Sequence, residues 1–411
     1  MTRRTAVPWI IAGAMTVVAL IAIVSAIILA IPKPQPLTAS TWAVTPAPAE
    51  TATPAAGPTS STSATDTDED QEQAADTSTG PKPSGSATGK VNRDAPMSQA
   101  ALAARPGQGP LPAAKPATCP AATVRVSTAT QLSDALAEAA PGTVIQLADG
   151  VYEGHFSATV SGTASQRIYL CGGRNAVLDG GGTSKGYVFH LDGASHWVLS
   201  GFTIRNGQKG LVADSSNGSV IQNLSVTGTG DEAIHLRTNS SSNLVIGNVI
   251  SDTGHRNAKF GEGIYIGSAV SNWCTYTNCT ADESNYNVIT NNDISATTSE
   301  SIDIKEGTIG GVVKGNRFDG SSMTDATAWI NVKGNAWTIE ANYGQNSPEN
   351  GYETHQILQD WGDYNHFAGN TGTVNGSGYG IASWPPLHNT VSCTNALTGS
   401  AKGLSNIPCT P

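Results

Sequence analysis

Val245-Ile-Gly-Asn-Val-Ile250, Ile289-Thr-Asn-Asn-Asp-Ile294 and Val313-Lys-Gly-Asn-Arg-Phe318 carry one pattern three times, with apolar residues at both ends and an asparagine at a matching place between them. Leu199–Ile204 and Ile221–Val226 extend the series upstream, and Asn342 and Asn370 continue the asparagine column begun by Asn248, Asn292 and Asn316. Apolar residues at period two predict short strands with one buried face. Ahead of each stretch lies a shorter alternating one: Leu211–Ala213, Ile234–Leu236, Ile264–Ile266, Ile302–Ile304, Ile330–Val332, Tyr352–Thr354 and Ile381–Ser383. A small residue usually precedes it, and Trp329 is the exception. Units recurring every roughly 22–38 residues predict stacked coils of two or three strands, each strand pairing with its counterpart one turn along. A β-sandwich or a propeller would not require asparagine at one place in every unit. The fold class read from this pattern is all-β, a right-handed parallel β-helix, with a helix over Gln131–Ala139 plugging its N-terminal end through Leu132, Ala135, Leu136 and Ala139.

The pattern occupies only part of the 411 residues. Before residue 119 lie 15 of the 22 prolines, seven of the 45 glycines and none of the six cysteines. Residues 10–31 form an uncharged apolar run preceded by Arg3 and Arg4. That length spans a bilayer as one helix, and the arginines favour a cytoplasmic N-terminus. The expectation is a cytoplasmic tail at 1–9, a transmembrane signal-anchor at 10–31, a disordered Pro/Ala/Ser/Thr-rich linker at 32–118, and the β-helix at 119–411. The domain is then extracellular, or secreted if the anchor is cleaved. The linker's composition cannot bury enough apolar surface to offset chain entropy.

The 119–411 segment has 14 Lys+Arg against 24 Asp+Glu and no basic stripe, which argues against nucleic acid as a partner. An even cysteine count in an exported domain suggests disulfides. Proximity favours Cys274–Cys279, Cys393–Cys409 and Cys119–Cys171, one of fifteen pairings.

Pro141-Gly-Thr-Val-Ile-Gln-Leu-Ala-Asp-Gly-Val-Tyr152 and Val198-Leu-Ser-Gly-Phe-Thr-Ile204 resemble signatures of the pectin-lyase-like superfamily of right-handed β-helix proteins. The resemblance covers about 122–395. It implies the fold, while the superfamily spans polysaccharide lyases, glycoside hydrolases, epimerases and inactive adhesins. Function therefore has to come from the site.

On the shorter strands alternate side chains point outward. Glu232, Glu262 and Glu300 form one column just before the strands. His235, Tyr265, Asp303, Asn331 and Glu353 form a second, and Arg237, Gly267, Lys305, Lys333 and His355 a third. An exposed face this rich in ionisable groups suits glycan binding; an ion-pair ladder with no function is the competing reading. Two insertions flank it: Gly254–Gly261, with His255, Arg256 and Lys259, and Ser268–Asn287, with Trp273 and Tyr276. Trp361 and Trp384 offer rings for sugar stacking.

The first expected chemistry is β-elimination on a uronic-acid polysaccharide by a monomeric enzyme. Lys305 and Lys333 on successive coils would repel, leaving one as base and the other, or Arg237, to meet the substrate carboxylate. Because Asp303 and Glu306 lie beside Lys305, Lys333 or His355 is the alternative base. Glu353, Asn331, Tyr265, His235 and Trp361 are the expected substrate contacts. Lyases of this fold imply calcium in some cases, and Glu262, Glu300 and Asp303 are its candidate ligands. A hydrolase using Glu262 or Glu300 with Asp303, and a non-catalytic glycan-binding adhesin, are the alternatives.

Overall fold

The computed structural model describes residues 111–411. The expected tail at 1–9, the transmembrane helix at 10–31 and the linker up to residue 110 lie outside the described residues. Among those described, no helix is long and apolar enough to cross a membrane.

Among the described residues, thirty short strands wind into three parallel sheets of eleven, nine and ten strands. Every strand pairs with its counterpart one coil away, as the repeat requires. The seven shorter strands all fall in the nine-stranded sheet, in register: Leu211, Ile234, Ile264, Ile302, Ile330, Tyr352 and Ile381 lie opposite one another along the stack. These side chains are fully buried and, aliphatic except for Tyr352, form the spine of one continuous core.

The longer alternating stretch proves to be two strands. Leu244–Ile246 belongs to the eleven-stranded sheet and Val249–Ser251 to the ten-stranded one. The chain turns between them at Gly247-Asn248, and the residue before each of the five asparagines from Asn248 to Asn370 is left-handed: Gly247, Asn291, Gly315, Ala341 and Gly369. Glycine and asparagine tolerate that conformation best; Ala341 holds it because the ladder on either side fixes the corner. The asparagines bond amide to amide, Asn248 to Asn292 to Asn316 to Asn342 to Asn370, with Asn395 added at the end. Each oxygen also accepts the backbone N–H of the preceding ladder asparagine, so the ladder satisfies polar groups that a corner would otherwise strand.

The N-terminal helix spans Ala129–Ala137, two residues earlier than expected, because Thr128 accepts from the Gln131 N–H and starts it. Leu132, Ala135 and Leu136 join the core. Trp329 is admitted by glycine: its buried ring lies where a Cβ on Gly344 would come within 2.5 Å of it. All three disulfides pair as proximity suggested.

Residues 111–118, assigned to the linker, instead lie on the eleven-stranded sheet. Ala117 exchanges two 2.7 Å hydrogen bonds with the Gln222 side chain, and Leu111 and Ala117 pack on Val198, Val220 and Leu244. Their low hydrophobicity hid this, since the contact is largely to backbone.

Candidate functional site

The nine-stranded sheet brings the charged columns together as the alternation requires. His235 pairs with Tyr265, Tyr265 with Asp303, Asp303 with Asn331, and Asn331 with Glu353. Lys305, Lys333 and His355 follow two residues later on consecutive coils. The face is outward but not exposed, a correction to the expectation. Asp303 is 1% accessible and Lys305 and Lys333 are each 8% accessible. At so little exposure, ion pairs cost desolvation and must be closely made.

Asp303 is the hub. Lys333 Nζ lies 2.8 and 2.9 Å from its two oxygens, and Lys305 Nζ lies 2.8 Å from Oδ2. Burial would raise the Asp303 pKa, but the two ammonium groups outweigh it and hold the carboxyl below its ordinary value. The two cations therefore meet an anion rather than each other, and mutual repulsion no longer singles out a base. Lys305 also sits over the Tyr265 ring, 4.8 Å from its centre, and that ring meets His235 in a T-shaped contact.

Further along, Glu300 accepts from Ser299 Oγ at 2.6 Å and Asn331 Nδ2 at 3.3 Å. Asn331 Oδ1 lies 3.0 Å from His355 Nδ1. Glu353 accepts from Asn350 and Thr327. Its burial, opposed by those two hydrogen bonds and reinforced by Glu300 and Glu349, pushes its pKa up to about 7.

Glu262, Glu300 and Asp303 place carboxylate oxygens within 4.8 Å of one another. Hard oxygen donors of this kind suit calcium. Both Asp303 oxygens already meet Lys333, so Glu262 and Glu300 would carry more of such an ion than Asp303.

Two expected residues are engaged elsewhere. Arg237 binds Asp214 at 2.8 Å and the Tyr187 hydroxyl at 2.9 Å, under the Tyr276 ring at 4.0 Å. That makes it a buried anchor rather than the cation meeting substrate beside Lys305. Trp361 is 6% accessible and packs against Ile309, so it offers no sugar platform. His235 lies 3.3 Å from Glu232, which also meets Lys209 at 3.2 Å. Burial works to raise the Glu232 pKa, but Lys209 and His235 overcome it and hold it low. Sequence reasoning passed over Lys209, although it lies in the Glu232 column one coil earlier. It also passed over Asp214, the signal for which was its register with Arg237.

The insertions are built into the molecule. Arg256 clamps Asp231 at 2.6 Å. Asp282 accepts from the Thr238 and Asn239 N–H groups and from Ser268 and Ser284. Val270 N–H donates to Glu306, and Trp273 donates to the Ser268 carbonyl.

A parallel β-helix bearing a lysine–carboxylate cluster on one sheet defines the class. No known family profile and no curated protein matches the sequence. Among solved structures, an alginate lyase from Paenibacillus sp. str. FPU-7 is 32% identical with a TM-score of 0.65, covering 69% of this chain and 99% of its own. A polygalacturonase from Erwinia carotovora ssp. carotovora is 12% identical with a TM-score of 0.49, covering 72% and 98%. The chain belongs to the pectin-lyase-like family of right-handed parallel β-helix proteins that includes this alginate lyase.

Proposed function

We propose that the chain is a polysaccharide lyase that cleaves a uronic-acid glycan by β-elimination, displayed outside the cell on the anchor expected at residues 10–31. The observation that carries this is the pair of lysines on Asp303, on adjacent coils, in a relative of an alginate lyase. β-Elimination removes the C5 proton and breaks the C4–O bond on the neighbouring carbon. Base and acid must therefore stand within a few ångströms of each other. Lys305 and Tyr265 meet that requirement; His355 and Tyr265 are three coils apart, about 14 Å. Lys333 holds both oxygens of Asp303, so Lys305 can leave that ion pair as substrate enters, release its ammonium proton to solvent, and take the C5 proton as the neutral amine. The electron pair forms the C4–C5 double bond, and the Tyr265 hydroxyl protonates the departing oxygen. Lys333, with Asn331 and His355, faces the substrate carboxylate and holds the charge that develops there. Glu262 and Glu300, with Asp303 the lesser contributor, would hold calcium, which when bound would supply further positive charge to that carboxylate.

Full-length protein is incubated with alginate and a panel of other uronides, with and without a chelator, and unsaturated ends are measured by absorbance. Wild type yields unsaturated product, Lys305→Ala yields none, and Tyr265→Phe is slowed by roughly 10²–10⁴-fold. Loss of product with chelator supports calcium at the three carboxylates. Intact activity in both Lys305→Ala and Lys333→Ala would sink the assignment. The raised pKa of Glu353 beside Glu300 favours a second reading, a hydrolase with Glu353 as acid. New reducing ends without unsaturation would establish it, and glycan binding without any product would point to an adhesin.

A further inference from the structure

The column that carries Lys305, Lys333 and His355 does not end there. His355 pairs with Trp384 on the last strand of the same sheet, so Trp384 projects outward one coil beyond the histidine. Of the six tryptophans among the described residues, Trp197, Trp273, Trp329, Trp337 and Trp361 are buried and Trp384 is 42% accessible. A ring that size left in water, in the column whose Lys305 and Lys333 are buried, has a large unsatisfied apolar face. Tyr379 stands beside it, ring centres 6.4 Å apart, and the Lys402 ammonium lies 5.6 Å over the Tyr379 ring. An aromatic face with a cation at its rim matches an acidic sugar, which offers an apolar ring face and a carboxylate.

We propose that Trp384, with Tyr379 and Lys402, forms a distal subsite that stacks a uronate unit of the glycan chain and sets a preference for long substrates. The inference rests on the uronide reading of the lysine site. Three coils separate Lys305 from Trp384, about 14 Å. A glycan laid along the stack from the reacting unit reaches the tryptophan only after several sugars. Chains shorter than that react at the lysines without touching it.

The test compares a polyuronide with its own trisaccharide on Trp384→Ala, Trp384→Phe and Lys402→Ala. Trp384→Ala raises KM for the polymer and lowers the polymer-to-trisaccharide preference in kcat/KM about tenfold, the equivalent of 1.4 kcal/mol. Trp384→Phe restores most of it, and Lys402→Ala gives a smaller loss that salt mimics in the wild type. An equal effect on both substrates, or none on either, overturns the subsite. Binding is read separately from turnover, by retardation of the Lys305→Ala protein in gels containing the polyuronide, with and without Trp384→Ala. Retardation that depends on Trp384 supports the subsite even if no uronide is cleaved, the outcome that would defeat the lyase reading alone. Retardation unaffected by Trp384→Ala, or absent in every polyuronide gel, overturns it.

Discussion

Glu353 holds its carboxyl where burial, with Glu300 and Glu349 nearby, favours the neutral form. Its pKa rises from 4.5 to about 7 on folding. A group raised in this way contributes stability that is fully present below about pH 4.5 and lost as pH rises through about 7. Urea titrations across that window should show wild type weakening by a few kcal/mol, and Glu353→Gln should flatten the slope. An unchanged slope would place the titrating group elsewhere. The position of Glu353 in its column was legible in the sequence, because strand alternation alone puts it opposite Asn331. Its burial was not legible, since that depends on what lies over the sheet. Arg237 shows the same limit. Its outward direction was readable, but its engagement by Asp214 and Tyr276 joins residues from separate coils and an insertion.

At the scale of elements, the insertion Ser268–Asn287 is pinned by the buried carboxylate of Asp282, alongside the Val270 N–H bond to Glu306. Asp282 accepts two backbone N–H groups and two hydroxyls. Asp282→Ala should strand those donors at about 1–3 kcal/mol for each that water cannot reach. Thermal melts should show the loss, and hydrogen exchange should speed up at Thr238 and Asn239 before the core strands open. Protection unchanged at those two amides would show that the insertion is held by other contacts. The asparagine ladder is the opposite case. Its recurrence at one place was legible because every corner needs the same amide. The split of each long stretch into two strands was legible only in its odd spacing: Val245 and Ile250 both enter the core five residues apart, where an unbroken strand would need an even number.

In the whole molecule, the core is one stack in which each coil touches only its neighbours. Ile302 sits near its middle between Ile264 and Ile330, fully buried. Ile302→Ala removes buried methyl groups and leaves a cavity, a cost of about 2–5 kcal/mol. Because stability in a solenoid is a sum over coils and their interfaces, that loss should open the central coils while the ends stay protected. Uniform loss of exchange protection along the chain would show instead that the stack melts as a unit.

The sequence by itself determined the solenoid, its registers and the columns of charge on one sheet, because period-two alternation and a repeated corner amide are local properties copied in every coil. Tertiary structure alone decided how those columns are used. It set two lysines on Asp303, buried Trp361, drew Arg237 under an insertion and left Trp384 in solvent. Those outcomes turn on distances and coverage between segments far apart in the chain, and no local pattern encodes them.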